Sequence, residues 1–285
     1  MTNAVIFALL SLCFAGLNDL MYKRYSMKDR SRGVLVFGIG LVWVLLQSLT
    51  LLVKGGIPQT DATTLVYGVL AGVVLTISNL LLIESVTHIE ISVGSTIYRL
   101  NTIGVALLSV LFLHEDFGLM KAAGIGSGVL AVLLLLHRSR ESSDSQNHGL
   151  FIALVILAAL LRAIYGVLSK AGLNRGADAD TMLLIAASSW VIGGALYARL
   201  REGRFRLTGK KAAYALLCGL LVFLIVNFLI AAVARGEASV VIPIANLSFV
   251  ATLLFSIVLG MERLSVKKMV AVGCAIVSIG LLSLR

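Results

Sequence analysis

Two arginines stand where a charged side chain is expensive. Of the 24 Lys and Arg residues, 22 lie between or at the ends of long apolar runs, whereas Arg99 and Arg162 lie well inside them. At the helical rise per residue, Arg99 is roughly 12 Å and Arg162 roughly 20 Å in from the end of its run. A charge held at membrane depth costs several kcal/mol, so such groups usually face a cavity and mark function. A guanidinium matches a carboxylate through two parallel hydrogen bonds, which makes anion or carboxylate binding the chemistry these positions suit. The structural alternative is a guanidinium tied to backbone carbonyls or to a buried acid. Asp19 is a possible proton carrier or partner for a cationic group, but it also lies one helical turn before Lys23 and could pair with it. Glu84, at the end of another run, is the second possible proton carrier.

The elements that must position these groups follow from composition. The 285 residues are 59 % apolar and only 13 % charged, with a mean hydropathy of +1.01. Soluble domains are nearer half apolar and a quarter charged. Apolar runs lie at about 3–22, 33–53, 62–84, 91–113, 119–137, 149–171, 179–198, 211–234, 238–260 and 266–284, each near the ~20 residues that a helix needs to cross a bilayer. They do not alternate with period two, which argues against barrel strands. The fold class expected is an all-α polytopic membrane protein with ten transmembrane helices. The N-terminal run has no basic flank and no cleavage signature, so it reads as a first membrane helix rather than a signal peptide. Pro243 falls six residues into the ninth run. Gly68/Gly72 and Gly124/Gly128 are spaced to lie on one helix face, where small residues let membrane helices approach.

A shift of 147 residues brings the two halves into register. Glu90, Ser92, Val93, Ile97, Glu115, Lys121 and Gly126 fall on Glu237, Ser239, Val240, Ile244, Glu262, Lys268 and Gly273. Lys23 falls on Lys170 and, with one residue of slip, Asn79 on Asn227. Glu, Lys and Asn are scarce in this chain, so these matches weigh more than those of leucine. Each half, 1–140 and 147–285, holds five runs. Five is odd, so the second half enters the membrane from the opposite side. That is an inverted repeat, an architecture associated with secondary transporters, whose two halves can exchange shapes and so move a cavity's mouth from one side to the other.

The repeated segments carry a resemblance. Glu237-Ala-Ser-Val-Val-Ile-Pro243 opens the ninth span and Met261-Glu262-Arg263-Leu264-Ser265 follows it, with Glu90-Ile-Ser-Val and His114-Glu115-Asp116-Phe117 in the first half. The chain resembles the drug/metabolite transporter superfamily, in its ten-helix EamA-type branch. The resemblance implies a central cavity lined by spans one, three, four, six, eight and nine, and transport of small metabolites such as amino acids, sugars, nucleosides or amines. Substrate ligands expected on those spans are Asn18, Asp19, Tyr22, Asn79, Tyr98, Arg99, Arg162, Tyr165, Asn227 and Asn246. Two departures stand out: Thr96 occupies the place of Pro243, and Tyr98-Arg99 corresponds to uncharged Ala245-Asn246.

Glu90 and Glu237 precede spans four and nine, where a carboxylate suits the positive end of a helix dipole. Glu115 and Glu262 are expected to be structural loop residues. The three cysteines and four histidines have no metal-ligand or disulfide spacing, so no metal and no cofactor are expected. The net charge of +10 is a feature of membrane loops, not a nucleic-acid footprint. The partners expected are a small-molecule substrate and the lipid bilayer, in a bacterial inner membrane, with the chain a monomer or weak homodimer. Sixteen Lys and Arg lie on the loops joining spans 1/2, 3/4, 5/6, 7/8 and 9/10, against six on the side of the termini. The positive-inside rule then places both termini outside, whereas the resemblance implies the reverse. The function expected is a secondary transporter for a small polar metabolite, amino-acid-like or otherwise anion-bearing. The alternatives are a non-transporting membrane sensor or assembly partner, or a membrane-embedded enzyme, for which no HExxH or Ser–His arrangement speaks.

Overall fold

The computed structural model describes residues 2–26, 31–86, 88, 94, 97–134, 148–203, 205, 208–259 and 265–284. Among them the chain is all helix: α1 (Thr2–Ser26), α2 (Arg32–Val53), α3 (Ala62–Ser85), α4 (Asn101–Leu113), α5 (Leu119–Leu134), α6 (His148–Asn174), α7 (Ala179–Leu200), α8 (Gly209–Arg235), α9 (Ala238–Asn246), α10 (Ser248–Val258) and α11 (Val266–Ser283). Eight segments are long and apolar enough to cross a membrane, with Ala238–Val258 taken as one, and two shorter apolar helices, Ile97–Leu113 and Leu119–Leu134, complete ten. Glu90, Ser92, Val93, Thr96 and Glu262, and the side chain of Lys23, lie outside the described residues.

Helix starts are set by short polar side chains. Asp61, Asp178, Thr208 and Ser265 each accept the N–H three residues on, filling a donor that the first turn leaves open. The Thr64 N–H, 2.9 Å away, holds the Asp61 carboxyl below the usual carboxylate range.

Two spans differ from the continuous helices expected. The ninth is two helices, α9 and α10, parted at Leu247. The fourth has a turn at Leu100, the residue that the repeat places on Leu247. Both breaks carry the same pair of tight bonds: Leu100 N–H to Ile97 C=O at 3.1 Å and Ile103 N–H to Leu100 C=O at 3.0 Å, matched by Leu247 to Ile244 at 3.1 Å and Val250 to Leu247 at 2.9 Å. Pro243 sits within α9 and the break comes four residues later. A proline lacks an N–H and clashes with the preceding turn, yet the first repeat breaks at the matching place without one.

The halves are not side-by-side bodies. The most extensive helix pairings, α2 with α7, α3 with α6, α1 with α8 and α5 with α11, all join one repeat to the other. Several residues touch their own repeat equivalents. Trp43 and Trp190 meet edge to face with ring centroids 5.9 Å apart, Arg99 donates to the Asn246 carbonyl at 3.1 Å, and Ser127 donates to the Cys274 carbonyl at 2.7 Å. A residue can touch its equivalent only beside the axis relating the halves, so these three pairs mark the pseudo-two-fold axis of the inverted repeat.

Close approach at the α2–α7 crossing depends on glycine. A Cβ on Gly33 would lie 2.5 Å from the Ala198 nitrogen, and one on Gly194 would lie 2.4 Å from the Phe37 nitrogen. Backbone cannot give way as a side chain can, so Gly33→Val should destabilise the fold by about 1–3 kcal/mol. Thermal unfolding of the purified protein in detergent checks this, with Gly126→Val, whose Cβ meets nothing within 4 Å, expected to melt like the wild type.

Candidate functional site

Arg99, Asp19 and Asn246, three of the groups expected to do chemistry, meet at the two helix breaks. Arg99 lies on the turn preceding α4. Its Nη2 donates to Asp19 Oδ2 of α1 at 2.7 Å, and its Nη1 donates to Ser248 Oγ at 2.9 Å and to the Asn246 carbonyl at 3.1 Å. The guanidinium also lies 5.5 Å from the centre of the Phe249 ring. Asp19 accepts further from Thr252 at 3.3 Å and Ser248 at 3.4 Å. This is the buried-acid alternative considered for Arg99, combined with a carbonyl that the broken ninth span leaves open. Asp19 is thus paired across the repeats rather than with a neighbour on its own helix.

On the other side of the axis Asn246 Nδ2 donates to Asn101 Oδ1 at 2.7 Å and to Thr102 Oγ1 at 3.0 Å. Asn101 Nδ2 in turn donates to the Tyr98 carbonyl at 2.8 Å. The Arg99–Ser248 and Asn246–Asn101 bonds are repeat equivalents of each other, since the 147-residue shift carries 99 to 246 and 101 to 248. Asn101, a polar residue of span four that the sequence singles out, belongs to this network, and so do Ser248, Thr252 and Thr102, which lie beyond the residues expected. Their signal in the sequence was the spacing of small polar side chains beside the Arg99 and Asn246 positions.

Arg162 is differently placed. On α6, Ala158 accepts a hydrogen bond from Ser78 of α3 at 2.7 Å, Tyr165 is buried, and Gly166 packs under Ile242 of α9. Residues three and four apart share a helix face, so Arg162 lies on the inward stripe. Its guanidinium is 5.2 Å from the centre of the Tyr165 ring, and no carboxylate, carbonyl or hydroxyl among the described residues accepts from it. Tyr98 is within electrostatic reach of both Tyr22 and Tyr165, and Asp19 of Tyr22. Tyr98 Oη also lies 3.3 Å from Ser78 Oγ. Asn18, the repeat equivalent of Tyr165, is buried with its Oδ1 lacking a partner among the described residues. These side chains form one polar, aromatic zone between α1, α3, α6 and the residues just before α4.

Asn79 and Asn227 are less exposed to that zone's chemistry. Each donates to the carbonyl four residues back on its own helix, at 2.8 Å. Asn227 also donates to Gln47 at 3.0 Å, in a chain that continues through Asp180 to Lys54. Glu84 accepts from Tyr197 at 2.7 Å and from Arg201 at 2.9 and 2.7 Å, tying α3 to the end of α7.

One end of the assembly, that of the chain termini, is fastened by charges from both halves. Glu115 accepts the Ala238 N–H at 2.7 Å, the Ser239 N–H at 2.9 Å and the Ser239 hydroxyl. Glu237 holds the N-cap position of α9 but makes no cap hydrogen bond with its side chain; the expected capping carboxylate comes instead from Glu115 of the other repeat. Glu237 pairs with the buried Lys121, whose ammonium also donates to the Asp116 carbonyl at 2.5 Å and to Ser239 at 3.1 Å. A buried ammonium persists only when paired and hydrogen-bonded in this way.

The Asp19–Arg99 pair is half screened, so removing one partner should cost about 1–3 kcal/mol and the two losses should not add. Asp19→Asn and Arg99→Gln should each lower the melting temperature, and the double variant should melt above the sum of the two losses. Additive losses in thermal unfolding would show that the pair is not coupled.

A solved crystal structure matches this fold with a TM-score of 0.86, covering 100 % of this chain and 97 % of its own, at 14 % sequence identity. At that identity the likeness speaks to fold alone. No functionally curated protein matches the sequence. Residues 2–137 and 149–284 each match the EamA-like transporter family, one match for each five-span half. The polytopic helices make this an integral membrane protein, and with both halves matched the chain belongs to the EamA-like transporter family, whose members are membrane transporters.

Proposed function

We propose that this protein is a secondary transporter of the plasma membrane, moving a small polar metabolite with a carboxylate or other anionic group by alternating access of its two halves. The observation that carries the reading is the fastening at the terminal end. Lys121 and Glu115 come from the first repeat, and Glu237 and Ser239 from the second. The same residue types recur in the sequence 147 residues away, as Lys268 and Glu262 with Glu90 and Ser92, on the connections that the inverted repeat assigns to the other side. One set of residue types is therefore written twice, once for each mouth. If the halves exchange shapes, the fastening at one mouth is released as the equivalent set is brought together at the other.

The bonds beside the axis behave differently. In an exchange of shapes Arg99–Ser248 takes the geometry of Asn101–Asn246, and the reverse. Both bonds exist in the same structure, so neither has to break. The axis can serve as pivot while the ends open and close, and substrate held near it is turned from one side to the other. The substrate ligands proposed are Asn18, Asp19, Tyr22, Tyr98, Arg162 and Tyr165, with Arg99, Asn79, Asn227 and Asn246 supporting them. Of the two carboxylates able to carry a proton, Asp19 stands in the polar zone, while Glu84 is taken up by Tyr197 and Arg201.

Counterflow in sealed vesicles tests this reading. A labelled small organic acid should exchange across the membrane in the wild type. A variant with Glu115→Cys and Ser239→Cys should exchange it until a short thiol-reactive bridge is installed, and should then lose at least tenfold in rate. Undiminished exchange with the terminal end bridged would refute alternating access.

A further inference from the structure

We infer that Arg162 alone receives the anionic group of the substrate, and that the site selects solutes carrying one net negative charge over zwitterions and cations. The inference rests on the transporter reading and narrows its substrate class. Arg99 and Arg162 look alike in the sequence, but their surroundings divide them. Arg99 is neutralised by Asp19 at 2.7 Å, and its remaining contacts lie beside the pseudo-two-fold axis, where an exchange of shapes leaves them formed. It is a strut of the pivot.

Arg162 has no such compensation among the described residues. Its one described contact with an electron-rich group is the Tyr165 face, and a cation–π contact is weak beside the cost of an unpaired charge away from water. Holding a guanidinium in mid-membrane without an anion costs several kcal/mol. The arginine fork, with no acceptor filling it, is shaped for a carboxylate or an equivalent oxyanion. The polar zone supplies the rest of a site: Tyr165 one turn away on α6, Tyr98 within electrostatic reach of Tyr165 and Tyr22, and beside Tyr22 the Asn18 Oδ1, which no described residue fills, as an acceptor for a hydroxyl.

The charge count sets the class. Arg99 and Asp19 cancel, leaving Arg162 as one uncompensated positive charge among the described residues of the polar zone. A monoanion brings that zone to neutrality. A zwitterion leaves it positive and adds an ammonium, for which the described carboxylate in the zone is Asp19, already engaged by Arg99, Ser248 and Thr252. A cation adds to the charge.

Ligand-free melting separates the two arginines by sign. Arg162→Gln removes an uncompensated charge and should raise the melting temperature by about 2–4 °C, whereas Arg99→Gln strands Asp19 and should lower it by a similar amount. Lactate, pyruvate and benzoate are the anionic probes; alanine and glycine betaine are the zwitterions, and choline is the cation. At millimolar concentration at least one anionic probe should stabilise the wild type, and the zwitterions and choline should not. Arg162→Lys should weaken that stabilisation about tenfold and Arg162→Gln should abolish it. A fall in melting temperature for Arg162→Gln as large as that for Arg99→Gln would overturn the inference, since it would mean that protein groups hold Arg162. Stabilisation by alanine or choline that survives Arg162→Gln, or no stabilisation by any of the three acids, would overturn it as well. Failure of the transporter reading appears elsewhere, as absence of counterflow in vesicles of a wild-type protein that still binds the acids.

Discussion

In hydrocarbon, a backbone group that gives up its helical partner must find another one inside the protein. Two spans of this chain are interrupted part-way along, at Leu100 and at Leu247, with a helix starting at the next residue. The carbonyls freed by these breaks are taken by side chains, that of Asn246 by Arg99 and that of Tyr98 by Asn101. Arg99 can remain at that depth only because Asp19 offsets its charge, and Asp19 is fixed in turn by Thr252 and Ser248 of the far half. The arrangement of α1, the fourth span and the ninth span follows from meeting that single requirement twice, once on each side of an axis.

Packing serves the same end. The longest helix pairings run between repeats, so neither half can bury its apolar stripes alone. Gly33 and Gly194 bring α2 and α7 close enough for Trp43 and Trp190 to meet on the axis, where the Asp19–Arg99 pair also stands, while further ion pairs lie at the ends, Lys121–Glu237 at one and Arg201–Glu84 at the other. Tight backbone packing at the centre and ion pairs at both ends is a distribution that suits a hinge. Ion pairs can be traded for equivalent ion pairs, whereas tight backbone packing has no second arrangement of similar energy.

Much of this architecture was legible in the residues. Ten apolar runs gave the spans, and the matches of Glu, Lys and Asn at 147 residues gave the inversion, because polar residues in so apolar a chain are retained for contacts that apolar ones cannot make. The helix break in span four was not legible. The sequence there offers no proline, and the break reflects polar side chains of the other half that stand beside it. Similarly, Arg99 and Arg162 could not be told apart, because what separates them is a carboxylate 80 residues away on α1. Glu237 illustrates the same limit: its place before a helix suggested a cap, but the cap came from Glu115, across the molecule. Hydropathy and repeat matches report where a segment lies; which of two chemically able partners is used depends on geometry between distant segments.

The aromatic pair on the axis has an optical consequence. Trp43 and Trp190 are the two tryptophans of the chain, both are buried, and their indole nitrogens have no acceptor among the described residues. All of the indole emission therefore comes from one buried spot on the axis relating the two halves. It is a fixed lamp, far from the ends of the helices, and a signal for those must be introduced farther out along them.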